Sequence, residues 1–362
     1  MALNIGVYIA CQKNQPLYTA SLVRIGAKST SLITEGGQAW RLLSMHVLHS
    51  SLWHLVANMV LLFHIGSPAE SLLHKKDYLL LVLYSALGSA CASCFYTPII
   101  STGFSGVVFG LWGGFAAAGL RSRHLLSPIH KHYVFFRLIP YAAFALLCGV
   151  LSPHTDMASH TGGLCTGALY GCSLQPRIIP YPSFKTPFFQ CLPAVFLFTC
   201  IAWFSGHPLT LPTRTSTCLD VSFSHTPTWT LQQEPHTCTL HNDAGVYLHW
   251  IRDNTSKNTP NLHTYATHFI TDTLPEETAH HNSQLLWQSP LQKTVPHNHE
   301  TYLIHTLLWT PQQTWITQYR FVAAYNHVYV FSSNIPAWSS SIYVPSIEKI
   351  WASLSIQPPQ RL

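Results

Sequence analysis

Charge is what this chain has least of. Lys and Arg number 19 and Asp and Glu 13 among 362 residues, 9% together, whereas an ordinary soluble domain carries roughly 25%. With 48% of residues hydrophobic, that scarcity excludes an ordinary cytosolic enzyme. The net charge of +6 is no nucleic-acid footprint either, because the basic residues come in short clusters between apolar runs and form no stripe. Residues 1–206 hold 12 Lys and Arg against 4 Asp and Glu, and residues 207–362 hold 7 against 9, so the positive excess lies in the first part. Among the ten cysteines, Cys11, Cys91, Cys94, Cys148, Cys165, Cys172, Cys191 and Cys200 sit in or beside apolar runs, where small buried side chains belong. The CxxC of Cys91 and Cys94 lacks a second thiol pair, so neither metal nor redox chemistry is expected there. The opening MALNIGVYIAC lacks the basic n-region of a signal peptide, and the expectation preferred to a signal-peptide remnant is the end of a spanning helix whose beginning is absent.

What is present is a series of apolar runs. Crossing a bilayer takes about 20 mostly apolar residues, and six stretches approach that length: 46–65, 78–96, 103–120, 134–151, 157–174 and 187–205. Short cytoplasmic loops carry Lys and Arg. Lys75 and Lys76 follow the first run, Arg121, Arg123 and Lys131 the third, and Arg177 and Lys185 the fifth, while 97–102 and 152–156 carry none. The runs starting at 46, 103 and 157 are therefore expected to be parallel and to begin outside, and the run at 187–205 to lead outward again. Residues 207–362 then lie outside the cytoplasm, where Cys218 and Cys238 are able to pair. This tail is rich in Thr, His, Pro, Trp and Gln; 207–217 reads as a linker, GVYLHWI, TYLIHTLLW, WITQYRFVAAY and HVYVFSS as strands, and PSIEKIWASL (345–354) as a closing helix.

Polar groups inside a spanning helix are costly, so they are candidate functional groups. Run 46–65 contains His46, His49, His54 and Asn58, the last two one helical turn apart. The alternative role for them is interhelical hydrogen bonding. Run 103–120 opens with GFSG, where Gly106 and Gly110 permit close helix contact and Ser105 stands just before them; a serine at a helix start is ordinarily a cap. Run 157–174 contains His160 followed by Gly163, Gly167 and Gly171. Packing the two glycine ladders of parallel helices brings Ser105 and His160 to similar depth, which is the arrangement of a nucleophile and its base. Neither helix holds an Asp or Glu, so a dyad is expected and no triad. HNHE at 297–300, in a tail with 13 of the 23 histidines, is read as chance proximity and not as a metal site.

Residues 36–175 resemble the rhomboid intramembrane serine proteases, through Trp40-Arg41, HSSLWHLVAN with His54 and Asn58, Glu70, GFSG around Ser105 and SHTGG around His160, in that order. The resemblance implies Ser105 as nucleophile, His160 as base, and His54, Asn58 and Gly103 as the groups around the oxyanion, with Trp40 and Arg41 in an interfacial loop anchored at headgroup level. It also implies transmembrane protein substrates and the bilayer as partners, with no cofactor, metal or nucleic acid. The fold class expected is an α-helical polytopic membrane protein of the bacterial inner membrane: a rhomboid-like helix bundle over 1–185 with its first helix truncated, an extra transmembrane helix at 186–206, the linker 207–217, and a small extracytoplasmic α+β domain over 218–362. The order of strands and last helix in that domain resembles the PsbP-like fold. The competing expectations are a catalytically inactive rhomboid-like protein that binds transmembrane helices, and a transporter with His54 and Asn58 lining its path.

Overall fold

The computed structural model describes residues 1–12, 19–97, 99–121, 155–174, 213–253, 261–275, 283–294, 301–311, 313–325 and 327–357, with single positions at 132, 140, 143 and 278. The chain forms two units, Met1–Leu209 and Thr210–Leu362. The expected spans at 134–151 and 187–205, and the HNHE stretch, lie outside the described residues.

The first unit is helical. Its described helices are α1 (Ala2–Gln12), α2 (Thr19–Ile25), α3 (Thr30–Thr34), α4 (Arg41–Ser44), α5 (Leu52–Leu72), α6 (Lys75–Tyr96), α7 (Ser105–Arg121) and α8 (Met157–Gly171). Among the described residues, α5 and α6 are long and apolar enough to cross a membrane; α7 and α8 run for 17 and 15 residues. The run expected to start at residue 46 starts later. Ser51 caps α5 by accepting the N–H of His54, so Met45–Val47 forms a separate 3₁₀ turn and His46 and His49 precede the helix.

Small residues set how α6, α7 and α8 meet. A Cβ on Gly163, Gly167 or Gly171 would fall on the carbonyl oxygen of Gly106, Gly110 or Gly114 respectively, and those pairings, rising together in number, make α7 and α8 parallel. On α6, Ser89 and Ser85 occupy the space a side chain would need at Gly106 and Gly110, and Leu81 that at Gly114, so α6 runs antiparallel to α7. In a bilayer, where apolar side chains gain nothing by leaving lipid, such backbone approach is what holds helices together. Around it lies an apolar core including Leu55, Met59, Ile65, Phe109, Leu111 and Trp112.

Arg41 corrects one expectation. It is 2% exposed, because its guanidinium is drawn inward to donate to the carbonyls of Val23 in α2 and Ala27 just beyond it, and to Gln38 Oε1, at 2.5, 2.9 and 2.7 Å. Trp40 remains half exposed beneath its cation–π contact with Arg41.

The second unit is built on sheets. One has the order β3-β4-β5-β10-β9-β8-β6, from Trp229–Gln233, Thr237–Asn242, Tyr247–Asp253, His327–Pro336, Thr314–Ala324, Thr301–Trp309 and Gln284–Gln288, with β7 (Gln292–Thr294) also on β8. The other joins β1 (Arg214–Cys218), β2 (Val221–His225) and β11 (Ser355–Ile356). β1 begins inside the stretch read as linker, because Arg214–Cys218 pairs residue by residue with Val221–His225. Both faces of the large sheet are covered. Val328 and Val330 pack with Leu262, Ala266 and Phe269 of α9 (Leu262–His268) and the π-helical turn after it, whereas Phe331 packs on Trp250 and on Trp351 of α10 (Ser340–Ser353). α10 starts five residues before the expected Pro345, which its first turns accommodate at the loss of one backbone bond.

Cys218 and Cys238 are joined, tying β1 to β4 across 20 residues. A loop of that length is worth about 3 kcal/mol by the chain-entropy argument. Reduction, or Cys218→Ser with Cys238→Ser, should lower the denaturation midpoint of the second unit accordingly. Two free thiols in mass spectrometry of the unreduced protein would contradict the pairing.

Candidate active site

The N-termini of α5, α7 and α8 converge on one cluster. α7 begins at Ser105 itself, and Ser105 Oγ lies 2.9 Å from Nε2 of His160, the fourth residue of α8. The hydroxyl, which a capping role would have turned onto its own helix, is directed across to the neighbouring one. The glycine ladder makes this pairing possible, since residues at equal height on two helices whose backbones touch are within reach of short side chains.

His160 is buried, and its ring stacks on Phe109 with centroids 4.4 Å apart and planes 30° apart. Phe109 is one turn beyond Ser105, so one face of α7 carries both the hydroxyl and the platform for the imidazole. Nδ1 of His160 has no hydrogen-bond partner among the described residues. Asp156, one turn before His160, caps α8 and accepts from the Ser159 N–H at 3.0 Å; its carboxylate is engaged there and not on the imidazole.

Gly103 precedes Ser105 by two residues, at φ +114°, a backbone conformation that only glycine adopts without strain. A Cβ there would stand 2.7 Å from His54 Nε2 and 3.6 Å from Asn58 Nδ2, so both side chains border the space beside the serine loop. The Gly103 N–H donates to Met45 O at 2.9 Å, fixing the loop against the turn before α5. Asn58 Nδ2 donates to the carbonyl of His54, one turn back, at 2.8 Å. Nδ1 of His54 is 3.1 Å from Ser50 Oγ, and His49 packs edge-on against the His54 ring at 5.2 Å. His46 is tied to the Ala86 carbonyl at 3.0 Å, a bond between elements. Glu70 lies on the exposed side of α5.

The structure thus brings Ser105 to His160, and His54 to Asn58 and Gly103. Sequence reasoning passed over Phe109, although its four-residue spacing from Ser105 puts it on the same helical face. It also passed over Ser50, for which the sequence carries no comparable signal. Among the described residues no group of His, Cys, Asp and Glu has the arrangement of a metal site.

Residues 36–177 match the sequence model of the rhomboid domain. The chain carries a rhomboid-family domain. Such a domain implies a polytopic helical membrane fold. Over 156 residues the chain is 31% identical to the rhomboid protease GluP of Bacillus subtilis, covering 43% of this chain and 30% of that protein. It is 33% identical over 163 residues to RHOMBOID-like protein 1 of Arabidopsis thaliana, covering 44% and 41%. The putative rhomboid protease YdcA of Bacillus subtilis is 28% identical over 156 residues, 42% of this chain and 76% of that one. The chain therefore spans well under half of GluP and of RHOMBOID-like protein 1. Among solved structures, cyanobacterial PsbP from Synechocystis matches 40% of this chain and 92% of its own at a TM-score of 0.33 and 6% identity.

The site geometry of the rhomboid domain is testable at Gly103. Gly103→Ala forces a strained φ and drives a methyl into His54, so the rate at which Ser105 reacts with a fluorophosphonate should fall roughly tenfold to a hundredfold, as a displacement of about 1 Å does at a reacting centre. An unchanged labelling rate in folded Gly103→Ala protein would mean that the loop is not held as described.

Proposed function

We propose that this chain is an intramembrane serine endopeptidase that cleaves transmembrane segments of other membrane proteins near the extracytoplasmic face, using Ser105 and His160 as a dyad. The observation that carries the reading is the 2.9 Å hydrogen bond between Ser105 Oγ and His160 Nε2 at the N-termini of two helices of a rhomboid domain. For His160 to accept the serine proton at Nε2, the neutral ring carries its hydrogen on Nδ1. Ser105 Oγ then attacks the scissile carbonyl, His160 takes the proton and afterwards gives it to the leaving amine, and a water repeats the sequence on the acyl-enzyme. Among the described residues no carboxylate hydrogen-bonds the imidazole; the face of Phe109 against the ring favours the cation.

The oxyanion that forms during attack requires donors already in place. When the Ser50 hydroxyl donates to His54 Nδ1, the hydrogen of His54 resides on Nε2, directed to the space beside Gly103. Asn58 Nδ2 has a second hydrogen beyond the one given to the His54 carbonyl. The first N–H groups of α7, Ser105 among them, have no intrahelical partner and complete the set. Substrates are helices with residues that weaken them near the outer face, because a regular helix keeps its carbonyls from attack. The tail is assigned to the extracytoplasmic side, supported by the basic loops and by the Cys218–Cys238 disulfide, which belongs to an oxidising compartment.

Ser105→Ala and His160→Ala should each abolish cleavage of a transmembrane substrate and fluorophosphonate labelling while the protein stays folded, and the double variant should be no worse than either single one. Asn58→Ala should lower kcat by roughly ten- to a thousandfold with little change in KM. Cleavage that survives in Ser105→Ala would leave the protein as a binder of transmembrane helices. Loss of substrate affinity with kcat unchanged in Asn58→Ala would make Asn58 a structural tie. Protease added to intact spheroplasts should release the tail; digestion only after lysis would reverse its assigned side.

A further inference from the structure

Asp156 is one of only two Asp or Glu residues between residue 71 and the end of α8, and its carboxylate stands where three parts of the rhomboid domain meet. Ser93 near the end of α6 and Ser101 in the segment leading to Ser105 both donate their hydroxyls to Oδ2. Oδ1 accepts the N–H of Ser159, next to His160, and lies 3.2 Å from the Thr97 hydroxyl, whose proton it shares with the Ser93 carbonyl. A carboxylate has two oxygens and about four acceptor sites, so the ionised group is used in full. Protonation, or replacement by an amide, leaves part of the set without an acceptor.

From the other side the same segment is held by Lys28. This side chain is fully buried, and its ammonium donates to the carbonyls of Thr97 and Ile99 at 2.5 and 3.0 Å. The backbone of Lys28 exchanges two hydrogen bonds with that of Ser101, at 2.9 and 3.2 Å. Ser101 is therefore fixed by its backbone to Lys28 and by its hydroxyl to Asp156. Four residues later comes the nucleophile, and four residues after Asp156 comes its base.

On the reading of this domain as a serine endopeptidase, we propose that Asp156 is a positioning residue: its carboxylate couples the loop that presents Ser105 to the helix that presents His160 and so sets the distance between them. It touches neither reacting group. A helix cap acting on stability alone would leave the chemistry of the folded fraction unchanged, whereas a coupling of loop to helix acts on turnover.

The test uses the full chain in detergent, with Asp156→Asn, Asp156→Glu, Ser101→Ala and the Asp156→Asn/Ser101→Ala double variant. Each is measured for kcat and KM on a transmembrane substrate, for fluorophosphonate labelling rate and for Tm. Asp156→Asn should lower kcat and labelling rate together by roughly tenfold to a hundredfold, with KM within about twofold, and Asp156→Glu, which keeps the acceptors, should recover part of the rate. Ser101→Ala should lower both rates in the same sense, and the double variant should be no worse than Asp156→Asn, because the two act through one hydrogen-bonded unit. Unchanged rates in folded Asp156→Asn protein, or losses that multiply in the double variant, overturn the proposal. If Asp156→Asn does not fold, Ser101→Ala decides alone, since it removes one donor and no cap: unchanged kcat and labelling there overturn it. Wild type that neither cleaves nor labels overturns the endopeptidase reading and this inference with it. Active wild type beside silent Ser105→Ala and indifferent Asp156→Asn overturns the inference only.

Discussion

The close backbone contact between α7 and α8 is the constraint on which the rest of the rhomboid domain depends. Where Gly106, Gly110 and Gly114 meet Gly163, Gly167 and Gly171, carbonyl oxygens occupy the volume that any side chain would need. That contact fixes both the distance between the two helices and their vertical register. Short polar side chains beside the ladder come within reach of one another: Ser105 of α7 and His160 of α8, and Ser89 of α6 and Ser159 of α8 at 2.6 Å. Long side chains would bridge a looser pair of helices, but a serine hydroxyl has no reach to spare. The small residues thus serve the candidate site as well as the packing, and a methyl group at several of these positions would separate Ser105 from His160.

Buried charge in this unit follows a second rule. Arg41 and Lys28 donate to backbone carbonyls at and just beyond helix ends, and Asp156 accepts hydroxyls and a helix N–H. A buried charge is tolerable when its hydrogen-bonding capacity is used, and loop segments offer the partners that regular helices keep for themselves. The outcome is that the segments around Val23–Ala27 and around Thr97 and Ser101 are each tied to a buried charged side chain. The loop before Ser105 gains its definition from these ties, and the φ of Gly103 adds the close approach to His54.

The tail solves a different problem. Its central strand β10 is covered on both faces, so aromatic residues alternate with aliphatic ones there: Val328 and Val330 meet one helix, and Phe331 meets Trp351 of the other. The small β1-β2-β11 sheet and the Cys218–Cys238 link close the chain's first strand of this unit onto β4 and its last onto β2.

Much of this was legible beforehand, for definite reasons. Apolar runs mark helices because lipid leaves backbone groups no other partner, and the glycine spacing of four residues marks contact faces because it matches the helical repeat. Ser105 and His160 stand out in the sequence because each precedes such a ladder, and the structure puts them 2.9 Å apart. The strands at 301–309 and 315–324 were readable from alternation, whereas the short ones at 214–218, 221–225 and 229–233 were not, since five residues seldom hold enough period to count. What the tertiary structure alone decided is which polar residues face one another. Trp40-Arg41 reads as a headgroup anchor, yet Arg41 is drawn inward by the carbonyls of Val23 and Ala27, 18 and 14 residues away. Asp156 falls in the short connection before the run at 157–174, and its partners stand 55 to 63 residues earlier as well as beside it. A sequence determines periodicity and local conformation, because these depend on neighbours along the chain; the pairing of donors with acceptors depends on distances that exist only after the helices have packed.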